Sequence, residues 1–144
     1  SVIEHSLNFF YQAGKQFKGV ILLQPTSPIR TTKHIIEEIE LFDQNIDLVV
    51  SVKITSANPY FVLFEENSSG FLEISKKSNF TRRQDCPIVY ERNGAIYIYN
   101  TNSLKSELYH QQKYVMNESD SIDIDTALDW LLAACLLPNN IYNG

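Results

Sequence analysis

Two continuous apolar runs of strand length, Gly19 to Gln24 (GVILLQ) and Asp47 to Ile54 (DLVVSVKI), flank a stretch with helical spacing, and this arrangement constrains the fold more than any other feature. A run that is apolar at every position suits a strand covered on both faces, as strands of a parallel sheet are. Between the runs, Pro25 and Pro28 force a non-helical turn in PTSP, and Thr31 or Thr32 can cap a helix through about Gln44. Its inward side would carry Ile35, Ile36, Ile39 and Phe42. Strand, helix and strand in that order form a crossover unit, and two parallel strands need such a crossover. The fold class that follows is α/β with a mostly parallel sheet.

The rest of the chain fits around that unit. Val2, Ile3, Leu7, Phe10 and Tyr11 fall at helical spacing and Gly14 reads as the stop of that helix, so the opening residues look like the middle of a fold and suggest a truncated chain. Periodicity weakens over 57–90, where two short pieces around ENSSG read as a hairpin within an insertion. Gly94 to Tyr99 (GAIYIY) then has strong strand character. Thr101 or Asn102 can cap a short helix through about Leu108, Lys113 to Met116 suits an edge strand, and Thr126 to Leu137 suits a last helix ended by Pro138.

Composition narrows the function classes. The 144 residues are 44% hydrophobic and 20% charged, which suits one globular domain with a real core. The formal net charge of −5 argues against a general nucleic-acid binder, which needs clustered Lys and Arg to displace counterions. No apolar run approaches the length of a membrane span and no signal-peptide pattern opens the chain, so the expectation is a soluble, cytoplasmic protein without membrane partners. Cys86 and Cys135 lie far apart without metal-site spacing, and His5, His34 and His110 are scattered, so none of these receives a chemical role.

Three segments concentrate chemistry. In SIDIDTALD, Asp123 and Asp125 share one face if the backbone is extended, and paired carboxylate oxygens of that kind suit Mg²⁺ held together with substrate phosphates. Asp125 also precedes the last helix, so capping of that helix is an open alternative. In LQPTSPIRT, Gln24 sits at the mouth of a strand, the usual ligand end of an open α/β sheet, with an amide suited to sugar hydroxyls. Arg30 in the same turn either binds substrate or pairs with a neighbouring carboxylate. In RRQDCPIVYERNGAIYIY, Arg82 and Arg83 can grip a carboxylate or phosphate. Strand alternation there would place Asn93, Ala95 and Tyr97 on one face, where Asn93 and Tyr97 could reach one ligand. A solvated basic patch and a tight Asn-Gly turn are the plainer alternatives.

Taken together, LLQPTSPIR, RRQD.P.VYERNGAIYI and SIDIDTALD resemble, in order and separation, the CMP-sialic acid synthetases, or acylneuraminate cytidylyltransferases, over residues 20 to 130. The resemblance implies a three-layer sandwich of the nucleotide-diphosphosugar transferase type, forming a single partial domain over 1–144 with a β-rich dimerisation arm inserted at 57–90. It implies Mg²⁺-dependent transfer of CMP from CTP to the anomeric hydroxyl of a nine-carbon 2-keto acid sugar, with pyrophosphate released. Asp123 and Asp125 would hold the metal, Gln24, Asn93 and Tyr97 the sugar, and Arg83 the sugar carboxylate within a homodimer. The family's glycine-rich, basic CTP loop has no counterpart before LLQPTSP, and no lysine stands at 58–61 where the family's crossing arm carries one. The expectation is therefore an enzyme when intact and an inactive piece as these 144 residues, with a non-catalytic dimerisation or sugar-binding fragment as the alternative.

Overall fold

A computed structural model describes residues 1–105 and 110–140. The elements in order are α1 (Val2–Gln12), β1 (Gly19–Leu23), α2 (Thr32–Glu40), β2 (Leu48–Ile54), β3 (Phe64–Glu66), β4 (Leu72–Ile74), a 3₁₀ turn (Arg83–Asp85), β5 (Tyr90–Asn100), β6 (Gln111–Val115) and α3 (Ala127–Asn140). The chain separates into two compact units, Ile54–Glu91 and the stretches on either side of it.

In the larger unit the fold is mixed α/β around a four-stranded sheet in the order β1-β5-β2-β6. The sheet departs from the expected mostly parallel arrangement. β1 pairs antiparallel with β5, from Gly19 opposite Asn100 to Leu23 opposite Ile96. The Asn100 amide bonds to the Asp47 carbonyl at 2.9 Å and the Ile96 amide to Ser51 Oγ at 2.8 Å, so β2 also runs antiparallel to β5. Among the described residues only β2 and β6 form a parallel pair, from Leu48 opposite Gln111 to Val52 opposite Val115. The crossover through α2 does make β1 and β2 point the same way, but it leaves room for one strand between them, and the eleven-residue β5 fills it. β1 thus lies at the sheet edge, which leaves Ile21 and Leu23 about 40% exposed.

The two faces of β2 define two core clusters. Val49 packs with Ala95, Ile96, Ile98 and Met116, joined by Ile35, Leu41, Phe42 and Tyr114; Leu48, Val50 and Val52 pack on the other side with Tyr97 and Tyr99. Tyr114 also donates its hydroxyl proton to Glu37, which fastens β6 to α2. Helix α2 begins at Thr31 through a reciprocal capping box with His34, and it ends four residues short of Gln44. Its buried stripe differs from the expected one. Ile36 and Ile39 are exposed, whereas Ile35 and Phe42 pack inward with Glu38 between them, since positions three and four apart share a helix face. Residues 101–105 form turns rather than the start of a helix, and the remainder of that expected helix lies outside the described residues. Helix α3 continues two residues beyond Pro138, whose fixed φ is compatible with a helical turn. Among the described residues no helix is long and apolar enough to cross a membrane.

The smaller unit carries the hairpin around ENSSG, with Phe64 opposite Ile74 and Glu66 opposite Leu72. Asn67 closes its turn by accepting from the amides of Ser69 and Phe71, each at 3.0 Å. Tyr60 meets Phe80 edge to face at 5.7 Å and Lys76 lies 4.7 Å over the Tyr60 ring.

Glu38 is fully buried and neither carboxylate oxygen has a hydrogen-bond partner among the described residues. Desolvation favours its neutral form and pushes its pKa up to about 8. The folded protein therefore holds a proton at Glu38 that the unfolded chain releases near 4.5, so this site makes stability fall as pH rises from about 4.5 to about 8. Glu38→Leu is expected to raise stability by roughly 2 kcal/mol or more at pH 9 and by less at pH 5. Thermal melts of the two proteins across that range check this, and parallel pH profiles would contradict it.

Candidate functional site

β5 enters the sheet through a glycine in the left-handed region, Gly94 at φ +73°, which an L side chain adopts only under strain. This turn of the backbone interrupts strand alternation. The neighbours Ala95 and Ile96 are both fully buried in the same cluster, against the alternation that an unbroken strand would impose. Asn93 accordingly faces the side of Ser51 and Met116, while Tyr97 packs on the opposite side with Leu48, Val50 and Val52. The expectation that Asn93 and Tyr97 share one face is corrected by this single conformation.

Asn93 is 3% exposed and its amide is used in full within the protein. Its Oδ1 accepts from Ser51 Oγ at 2.7 Å and from the Ala95 amide at 3.2 Å; its Nδ2 donates to Ser121 Oγ at 2.9 Å and faces Met116 Sδ at 3.3 Å. Ser121 passes its own proton to the Asn117 carbonyl at 2.6 Å. Asn93 therefore links β2 and β5 to the segment that leads into Asp123. It is a buried tie, with no donor or acceptor left for a sugar.

The same corner gathers Gln24 and Asp123. A Cβ added at Gly94 would come within 2.7 Å of Asp123 Oδ2 and 3.0 Å of Gln24 Oε1, so the absent side chain makes the space these two groups occupy. The Ile124 amide bonds to the Thr26 carbonyl at 2.9 Å, and Ser27 Oγ lies 3.4 Å from Asp123 Oδ1 and 3.5 Å from the Asn93 carbonyl. Arg30 Nη1 donates to the carbonyls of Gln24 and Ala95, both at 2.9 Å. These bonds pin the end of β1 to β5, and no carboxylate pairs with Arg30 among the described residues.

The capping alternative for Asp125 does not hold. Thr126 and Asp129 form the cap of α3: Asp129 Oδ2 accepts from the Thr126 amide at 2.8 Å and its hydroxyl at 2.7 Å, and the Asp129 amide donates to Thr126 Oγ1 at 3.3 Å. These bonds from Thr126 also hold the Asp129 carboxyl below the usual carboxylate range. The Asp125 side chain is exposed and caps no helix among the described residues, where its amide bonds to Asp129 Oδ2 at 3.2 Å.

No family profile matches the chain. Individual proteins do. It is 33% identical over 128 residues to the post-translational flagellin modification protein B of Campylobacter coli, covering 85% of this chain and 54% of that protein. It is 29% identical over 139 residues to the N-acylneuraminate cytidylyltransferase of Escherichia coli O18:K1:H7, covering 91% of this chain and 32% of that protein. A CMP-N,N'-diacetyllegionaminic acid synthase of Legionella pneumophila matches 136 residues at 29% identity, 91% of this chain and 59% of that protein. The chain belongs to the CMP-sialic acid synthetase family. It spans between about a third and three-fifths of the length of these relatives.

Within this family member, the positions marked by the three motifs divide into groups. Gln24, Asn93 and Asp123 meet around Gly94, with Asp125 two residues on. Tyr97 faces the other side of the sheet, its ring stacked 6.1 Å from that of Tyr99. Arg30 is a backbone tie. Arg83 belongs to the smaller unit, where it lines a cleft of about 420 Å³ with Ser56, Asn58, Gln84 and Cys86, and donates to the Ser56 carbonyl at 3.5 Å. Sequence reasoning missed Ser27, Ser51 and Ser121, all fully or almost fully buried. Serines carry no pattern of their own; only the position of Ser27 in PTSP and of Ser121 before Asp123 offered a signal.

Two outcomes follow for this corner. Gly94→Ala is expected to cost about 1–2 kcal/mol from its left-handed backbone alone, with further loss from the clash with Asp123; a melt indistinguishable from the parent's would contradict the geometry. Thr126→Ala is expected to cost about 1 kcal/mol as a lost cap, whereas Asp125→Asn leaves the melting temperature unchanged. Denaturant titration of both variants separates the two roles.

Proposed function

We propose that the intact protein is a cytidylyltransferase that transfers CMP from CTP to the anomeric hydroxyl of a nine-carbon 2-keto acid sugar, sialic acid or a relative such as legionaminic acid. The activities for which the relatives are named support the sugar class, and the observation that carries the reading is the convergence of Gln24 and Asp123 at the gap over Gly94. In this reading the chain supplies the metal and sugar side of a site of the three-layer nucleotide-diphosphosugar transferase type. The portion of the protein outside these residues is assigned the CTP phosphates and base.

The donor set fits Mg²⁺. Asp123 and Asp125 offer hard carboxylate oxygens, Asp125 is free of capping duty, and the lack of a Cβ at Gly94 keeps Asp123 Oδ2 unobstructed. No group of three His, Cys, Asp or Glu side chains gathers among the described residues, so the remaining ligands would be phosphate and water oxygens, as Mg²⁺ commonly takes. Bound there, the ion would neutralise charge that grows on the phosphates as pyrophosphate leaves.

The chain's own residues do the positioning. Gln24 presents an amide donor and acceptor to sugar hydroxyls at the mouth of β1, and the Arg30 bonds to Gln24 and Ala95 keep that mouth rigid. Such rigidity lets the anomeric oxygen meet the α-phosphorus in line with the departing pyrophosphate. Arg83 is assigned to the sugar carboxylate through its planar guanidinium fork, in a homodimer to which residues 57–90 contribute the arm. Asn93 acts as framework, and Tyr97 has no part in this corner.

Pyrophosphate release from CTP, assayed with sialic, legionaminic and related keto acids on the full-length protein, is the test. Turnover with at least one sugar is expected, and Asp123→Asn and Asp125→Asn are each expected to lower kcat by a hundredfold or more with the fold retained. No turnover with any nine-carbon keto acid, or full activity in both aspartate variants, would overturn the reading.

A further inference from the structure

Asp123 receives one hydrogen bond at its carboxylate among the described residues, and it comes from Ser27. Ser27 is fully buried, and its main chain is fixed on both sides: its amide bonds to the Gln24 carbonyl at 3.4 Å and Pro28 follows it. Its hydroxyl has one proton and two acceptors in reach, Asp123 Oδ1 at 3.4 Å and the Asn93 carbonyl at 3.5 Å. A carboxylate is the stronger acceptor, so the proton goes to Asp123. With Oδ1 held there, Oδ2 is turned to the gap over Gly94 beside Gln24 Oε1.

We propose that Ser27 is a positioning residue, which sets the orientation of the Asp123 carboxylate so that Oδ2 is presented to a divalent cation. The inference rests on the metal role given to Asp123 above. The hydroxyl touches neither substrate nor cation; it acts through the carboxylate. The adjacent bond from Ile124 to Thr26 holds the main chain of the two segments together, so the loss of the hydroxyl frees the carboxylate to rotate while the loop stays in place.

The test uses the full-length protein with CTP present and Mn²⁺ as the probe, its binding read by electron paramagnetic resonance. Ser27→Ala is expected to weaken Mn²⁺ binding about five- to tenfold, with the KM for the sugar unchanged. Ser27→Thr, which keeps the hydroxyl, is expected to restore binding to within about twofold. Asp123→Asn in parallel is expected to abolish it. If Asp123→Asn loses Mn²⁺ while Ser27→Ala binds as the parent does, the positioning role is overturned and the metal role of Asp123 stands. If Asp123→Asn itself binds Mn²⁺ normally, the functional reading falls and the inference with it. Should the alanine variant fail to fold, Ser27→Cys, close in volume and a weak donor, reads the same affinity, and parent-like binding there also overturns the role.

Discussion

The amide of Asn93 holds the larger unit together at the point where its chemistry would take place. Both hydrogen-bonding ends lie in the interior, and each joins a different part of the chain: Ser51 on the central β2, and Ser121 on the way to Asp123. A buried amide costs several kcal/mol when unpaired, so this residue settles only where all partners are present together. The segment from Asn117 to Asp123 has no regular structure of its own beyond turns. Its position derives from Asn93, from the Ile124–Thr26 bond and from the His34 side chain, which reaches Asp120 at 3.6 Å from the first turn of α2.

That dependence explains the arrangement of the sheet. β5 runs against both neighbours, so its entry end lies beside the exit end of β1 and brings Gly94 next to Gln24. Had β5 been parallel to β1, the two would have met at opposite ends. The left-handed glycine then turns Asn93 into the helix-covered side and leaves the tyrosines of the same strand on the other. One residue without a side chain thus decides both which groups meet at the corner and which are kept from it.

Much of the scaffold was legible in the sequence, for identifiable reasons. The apolar runs of β1 and β2 and the Thr31 cap of α2 are local signals, and they lie where the pattern put them. The direction of β5 was not legible, because a strand's periodicity says nothing about which neighbour it joins or which way it runs. Nor was the face of Asn93, since alternation was counted through Gly94 as if the strand were regular. Helix α2 misled in the same way: three isoleucines drew the inward stripe toward 36 and 39, while packing selected 35, 38 and 42 and so buried Glu38 without a partner. In the corner around Gly94, Asn93 and Asp123 stand out in the sequence by residue type and the serines bonded to them do not, because hydroxyls gain meaning only from what they face.

The cap of α3 lies between Thr126 and Asp129, one residue beyond the last of the paired acids. Fold and the proposed chemistry thereby answer to different side chains within a span of seven residues. A chain without the carboxylates of Asp123 and Asp125 would still begin its last helix at Thr126 and keep its buried amide tie, and on the proposed reading it would be a well-folded protein without the proposed activity. In such a chain the scaffold would outlive the proposed reaction, and a folded body with a preformed corner would become available for a different ligand.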